Sequence, residues 1–231
     1  MRPRLLLTLI VAVTCVQAAP AGAEEQSPFA AQVMQDFGRC AAKLHRDRSI
    51  SLLDQEPSSA SGQKIAEIIA HNSQSCLAGN NERLAFQASL LRGAVAEGLY
   101  RDDFPTRPAL VPDTDPEFAP RKFMAADDVD PEAGLRSAVF HGFAACVVDA
   151  APLQAHDLLQ TEAASGEERT AFAAMADALS ICLPQGESFE IQPHRLRAAL
   201  AEALYRASVA YRRDVGVAAA APAAAVPEIM E

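Results

Sequence analysis

The sequence predicts an all-α protein, a tandem duplication of a roughly four-helix, disulfide-stapled unit, and three observations predict it. One stretch occurs twice: residues 87–101 read QASLLRGAVAEGLYR and residues 192–206 read QPHRLRAALAEALYR, with nine identical positions. Cysteines are spaced equally in both halves, with Cys40 and Cys76 separated by 36 residues and Cys146 and Cys182 by 36 again. Half of the residues are hydrophobic, but alanine dominates that count, aromatics make up 6% and tryptophan is absent. Alanine-rich, aromatic-poor chains favour closely spaced helices over sheets.

The chain opens with Arg2 and Arg4, an apolar run from Leu5 to Val16 too short to span a bilayer, and the small residues Ala21-Gly22-Ala23. That order is a secretory signal peptide over residues 1–23, which predicts a periplasmic or secreted protein. Its removal takes away two basic residues and no acid, so the net charge moves from −10 to about −12. A chain this acidic repels phosphate backbones and anionic lipid, which argues against nucleic-acid and membrane-surface roles. No other run is long and apolar enough to predict a membrane span.

In an oxidising compartment the four remaining cysteines can pair in three ways. Equal spacing selects Cys40 with Cys76 and Cys146 with Cys182, each bridge inside its own repeat. No Cys-x-x-Cys or His-x-x-x-His spacing accompanies them, so no metal site and no cofactor is expected.

Repeat 1 is assigned to residues 24–103. Ser27-Pro28 reads as an N-cap followed by proline at the first helical position, and Phe29, Val33, Phe37, Cys40, Ala41 and Leu44 recur at helical spacing. A short helix is expected around Ile50–Leu53, a break at residues 57–62, and a third helix carrying Ile65, Ile68, Ile69 and Cys76 up to a stop at Gly79-Asn80. Leu84 and Phe86 alternate as a short extended lead into the fourth helix. Repeat 2, residues 131–214, follows the same plan. Asp130-Pro131 starts it, Leu135, Val139, Phe140, Phe143, Cys146 and Val147 form the first stripe, and Leu153–Leu159 the short helix. Ser165 and Glu168 fit a capping box for a third helix with Phe172, Met175, Leu179 and Cys182, which stops at Pro184-Gln185-Gly186. Phe189 and Ile191 then lead into the fourth helix. Residues 104–130 read as a proline-rich acidic linker, whose Phe104, Leu110, Val111, Phe118, Phe123 and Met124 suggest partial docking. Residues 215–231 read as a disordered alanine/proline tail.

On a helical wheel of the repeated fourth helix, Leu91, Ala94, Val95, Gly98 and Leu99 share one stripe, reproduced by Leu196, Ala199, Leu200, Ala203 and Leu204. Its small residues, four apart, admit a close neighbour. Tyr100 and Tyr205 point away from that stripe, with Arg92 and Arg197 beside them. Either the helix is buried on two faces, with each tyrosine packed on another element, or Arg92, Tyr100, Arg197 and Tyr205 form a pair of binding strips for a protein partner.

Glu97 and Arg101, like Glu202 and Arg206, stand at i, i+4 with the acid first, which stabilises a helix by a few tenths of a kcal/mol and requires no catalytic role. His45, His71, His141, His156 and His194 suit surface or capping roles better than ligand or base roles, and no nucleophile elbow or phosphate-cradling glycine run is present. These residues predict no catalytic site. The leading expectation is a non-catalytic binding or structural protein of the cell envelope that engages a protein partner. A periplasmic acid-stress or holdase-like protein comes second, and an envelope hydrolase using Glu97 or Glu202 third.

Overall fold

A computed structural model describes residues 27–77, 87–106, 131–183 and 192–220. Every regular element among them is helical. In chain order these are α1 (Pro28–Leu44), α2 (Arg46–Leu53), α3 (Ala60–Asn72), a 3-10 turn (Gln74–Leu77), α4 (Ala88–Asp103), α5 (Pro131–Ala150), α6 (Pro152–Gln160), α7 (Gly166–Ala174), α8 (Ala176–Cys182) and α9 (Pro193–Ala220). The expected signal peptide, the helix stops at Gly79-Asn80 and Pro184-Gln185-Gly186, and the extended leads at Leu84, Phe86, Phe189 and Ile191 lie outside the described residues. So do Asp130, residues 107–130 of the expected linker and residues 221–231 of the expected tail. No single described helix is long and apolar enough to cross a membrane; α5 and α6 meet both conditions only together, across a 105° bend.

Local chemistry explains three of the helix starts. Ser27 Oγ accepts from the Ala30 N–H at 3.2 Å with Pro28 following, Ser59 Oγ accepts from Gly62 N–H at 3.0 Å, and Ser165 Oγ accepts from Glu168 N–H at 3.0 Å. Each hydroxyl satisfies one of the N–H groups that a helix start leaves without an internal acceptor. The capping box forms only in part, because Glu168 Oε2 accepts from Ala164 N–H at 2.7 Å rather than from Ser165. Ala164 itself sits at φ 58°, a left-handed backbone rare for alanine.

The third helix departs from expectation in both halves. α3 ends at Asn72 and leaves Cys76 in the 3-10 turn, while the second-half counterpart divides at buried Met175 into α7 and α8. Both bridges form nonetheless, with Cα–Cα distances of 5.7 Å for Cys40–Cys76 and 5.8 Å for Cys146–Cys182. α9 runs to Ala220, so residues 215–220, assigned to the tail, are helical. The alanine-rich composition that suggested disorder is also the best helix-forming composition.

The fourth helices lie at the centre. α4 packs chiefly on α1 and on α9, and α9 packs in turn on α5 and α6. Ten consecutive α4 residues, Leu91 to Tyr100, are buried, so this helix is enclosed on all sides. One core, with Phe37, Leu52, Ile69, Leu99 and Tyr100 from the first half and Phe143, Val147, Leu158, Leu200 and Leu204 from the second, runs continuously through both. The halves therefore share an interior instead of standing as separate lobes.

The small residues make these approaches possible. A Cβ built on Gly38 would lie 2.4 Å from the Ala94 backbone, and one on Gly98 would lie 2.9 Å from Arg39 Cα, so α1 and α4 meet backbone to backbone. Where α4 meets α9, a Cβ on Gly93 would lie 2.2 Å from Ala198 Cβ and 2.4 Å from its Cα. Backbone must yield there, so Gly93→Ala is expected to destabilise the protein by about 1–3 kcal/mol, read as a lower urea midpoint with an unchanged slope. An unchanged midpoint would mean that the helices separate at no cost.

Candidate functional site

The four strip residues are buried, with relative exposures of 2% for Arg92, 0% for Tyr100, 5% for Arg197 and 6% for Tyr205. Of the two alternatives, burial on two faces is the one the structure shows, and the exposed binding strip is not formed. Burial follows because α4 and α9 lie against each other and each also carries outer helices.

What the strip forms instead is a pair of crossed ion-pair centres. Arg92 of α4 grips Glu202 of α9, with Nε to Oε2 and Nη2 to Oε1 both 2.7 Å. In the opposite sense, Arg197 of α9 grips Glu97 of α4, with Nε to Oε2 and Nη2 to Oε1 both 2.9 Å. These are planar, bidentate, charge-assisted contacts, the strongest class of side-chain hydrogen bond. The i, i+4 partners are outlying members: Arg101 stands 3.2 Å from Glu97 and Arg206 3.4 Å from Glu202.

Each arginine also closes a short helix. Arg92 donates to the carbonyls of Leu52, Leu53 and Gln55 at the end of α2, the last two at 2.8 Å. Arg197 donates to Thr161 O at 2.8 Å just beyond α6, joined by Arg101 at 2.6 Å. A helix C-terminus carries partial negative charge and unpaired carbonyls, so a guanidinium there satisfies both. Burial alone disfavours the charge on Arg197, but hydrogen bonds and the charges of Glu97 and Glu168 outweigh it and raise its pKa. Burial likewise opposes ionisation of Glu202, yet the Arg92 charge, with His141, holds its carboxyl well below the usual carboxylate range.

The two centres differ in what completes them. At Glu97, Gln35 Nε2 donates to Oε1 at 2.6 Å and to Thr161 O at 3.0 Å, while Gln35 Oε1 accepts from Ala163 N–H at 3.0 Å. Glu168 adds a second carboxylate, 2.8 Å from Arg197 Nη1. At Glu202 the place of Gln35 is taken by His141, whose Nε2 lies 3.4 Å from Oε2. Glu56, at the turn after α2, is pushed up to about 7 from the ordinary 4.5, chiefly by burial and against the charges of His141 and Arg92. Its Oε1 and the Ser58 Oγ are buried with no hydrogen-bond partner among the described residues.

Neither Gln35 nor His156 is conspicuous in the sequence. Gln35 and His141 do stand 106 residues apart, as Cys40 and Cys146 do, and that offset is the signal by which both could have been found. Two of the five histidines depart from the expected surface or capping roles: His156 is buried and its Nδ1 lies 2.6 Å from the Tyr100 hydroxyl, while His141 is mostly enclosed. Tyr100 and Tyr205 both pack on Phe104, with ring centroids 5.5 and 6.4 Å apart, and the Arg212 guanidinium covers Phe104 at 4.1 Å. This part of the expected linker does dock.

Two cavities of about 850 Å³ each flank the centres. One reaches Gln35, Glu97, Glu168 and Arg197; the other reaches Arg92, His141 and Glu202. No group of His, Cys, Asp and Glu among the described residues could hold a metal ion.

Glu56 and Glu202 shape the response to pH in opposite ways. Because folding raises the Glu56 pKa, the folded state binds a proton more readily, and stability is lost as pH rises from 4.5 through about 7. Because folding lowers the Glu202 pKa, its contribution is present above 4.5 and is lost as pH falls below that. Thermal midpoints are therefore expected to peak near pH 5, and Glu56→Gln should flatten the decline between pH 5 and 8. A Glu56→Gln protein with the wild-type pH profile would contradict this assignment.

Comparison of the chain with protein-family models, with curated proteins and with solved structures finds no match. The functional reading rests on the residues themselves.

Proposed function

We propose that the protein is an exported, non-catalytic helical binding protein of the cell envelope, built by duplication of a four-helix unit, whose partner is a protein. The observation that carries the non-catalytic reading is the state of the two interior carboxylates. Both oxygens of Glu97 and of Glu202 accept from an arginine in bidentate geometry, which leaves neither placed to shuttle a proton as a hydrolase would need. Duplication is supported by the equal cysteine spacing and by the reciprocal Arg92–Glu202 and Arg197–Glu97 pairs. Two disulfides fit a chain that matures in an oxidising compartment such as the periplasm. The clefts beside the centres, not the buried strip, are the surfaces available for recognition.

The test is capture from an envelope extract with the disulfide-intact protein at neutral pH, followed by reconstitution from purified components. The expected result is a complex of fixed stoichiometry with one envelope protein. Failure to reconstitute any complex would overturn the reading.

A second reading, an acid-responsive holdase, is supported by Glu202, whose lock on Arg92 requires an ionised carboxylate. Because Glu202 is held ionised well below the usual carboxylate range, this reading predicts that only in strong acid, below about pH 2, does the protein expose apolar surface to a hydrophobic dye and suppress aggregation of an unfolded client. A native-like, dye-silent protein at that pH would dismiss it.

A further inference from the structure

The two cavities lie on opposite sides of the close-packed contact between α4 and α9, and they differ in charge. The cavity beside Glu97 has two carboxylates in its wall, Glu97 and Glu168. The cavity beside Glu202, closed on one side by the first half of α5, has a single acid among its described walls against three arginines, Arg92, Arg136 and Arg195. That acid is already balanced: Glu202 is buried, gripped by Arg92 at 2.7 Å and approached by Arg206 at 3.4 Å. Arg136 and Arg195 are exposed and so stand at the mouth. Arg136 also meets exposed Glu132, and Arg195 makes a long contact with Gln87 Oε1 at 3.4 Å. Glu56, next to Pro57 of the wall, adds less than a full charge at neutral pH, because burial pushes its pKa up to about 7. The local balance is positive, on a chain whose net charge is −10.

Between that mouth and the floor the wall is apolar, with Leu90, Leu135, Val139, Phe140 and Ala198. Ser58 Oγ belongs to the same wall and is buried with no hydrogen-bond partner among the described residues, a position that a polar group on a ligand would satisfy. The volume, about 850 Å³, falls within the range of about 300–1,000 Å³ that small-molecule sites occupy, and apolar walls with a few placed polar groups are their usual lining. We propose that this cavity binds a small amphipathic carboxylate, its apolar body against Val139 and Phe140 and its carboxylate at Arg136 and Arg195. A guanidinium presents its donors as a flat fork that matches a carboxylate, so these two arginines select acid over alcohol or amine. The opposite cavity, with its two carboxylates, lacks that preference. The site goes beyond the protein-partner reading and does not depend on it.

The experiment is isothermal titration calorimetry of the oxidised protein with aliphatic and aromatic carboxylates, decanoate and naphthoate among them, beside the matching neutral alcohols and trimethylammonium cations. The carboxylates are expected to bind at least about tenfold more tightly than their alcohols and cations, and to weaken with added salt. Arg136→Gln/Arg195→Gln, verified by circular dichroism and by unreduced mass to keep its helices and bridges, should lose about tenfold in carboxylate affinity and most of the salt dependence. Phe140→Ala should weaken binding and keep the salt dependence, and Phe172→Ala, in the opposite cavity, should change neither. No binding by any carboxylate up to about 1 mM, equal affinity for the three charge types, undiminished binding to the arginine variant, or a loss with Phe172→Ala in place of Phe140→Ala would overturn the proposal. The wild-type comparison of acid, alcohol and cation needs no variant to fold. Either result leaves the protein-partner reading to its own test, the reconstituted complex.

Discussion

Replacing Arg197 with methionine is expected to destabilise the protein by about 3–5 kcal/mol, one of the largest effects of any single change. The reason is what remains behind. Glu97 and Glu168 would stay buried with their shared cation gone, and the Thr161 carbonyl beyond α6 would lose one of its donors. Leaving a buried charge without its partner costs far more than the pair itself contributes over an apolar replacement. Urea unfolding measures it directly, and Arg197→Lys should recover only part of the loss because an ammonium cannot make the two parallel contacts. A loss under about 1 kcal/mol would mean that the pair behaves like one on the surface.

The second large effect is expected from the bridges. Each joins cysteines 36 residues apart, and the chain-entropy relation gives about 4 kcal/mol for a loop of that size. Cys40→Ser/Cys76→Ser should release the 3-10 turn after α3 from α1, and Cys146→Ser/Cys182→Ser should release the end of α8 from α5. A domain is typically stable by only about 5–15 kcal/mol, so losing both bridges should leave the chain largely unfolded at neutral pH. Thermal unfolding with and without reductant tests this; a reduced protein that melts cooperatively at the oxidised midpoint would show that the core suffices alone.

Much of this architecture is legible in the sequence, because it is written in residues whose meaning is local. Ser27-Pro28 and Ser165 start helices through their own side chains, and the spacing of the cysteines specifies which pairs can close equivalent loops. Ala94 and Gly98 announced a close neighbour, which proves to be α1. What was not legible is how α4 and α9 sit relative to each other. A helical wheel treats each helix alone, so it sets Arg92 and Tyr100 away from the apolar stripe and leaves open whether that face is exposed or buried against another element. Contact between α4 and α9 turns that face into an interior, where the charges survive because each arginine meets the other helix's glutamate. The i, i+4 reading of Glu97 and Arg101 found a real but lesser contact for the same reason. Nothing local marks His156 as an interior residue, because its partner, Tyr100, lies 56 residues away. The break at Met175 has no proline or glycine to announce it.

Reciprocal Arg–Glu pairs lock the two halves together, and double-mutant cycles in urea unfolding measure that lock. Arg92→Met with Glu202→Met, and Arg197→Met with Glu97→Met, should each give a coupling energy of about 1–3 kcal/mol. The within-helix combinations, Arg92→Met with Glu97→Met and Arg197→Met with Glu202→Met, should couple markedly less. Additive losses in the crossed pairs, or equal coupling within each helix, would contradict the lock.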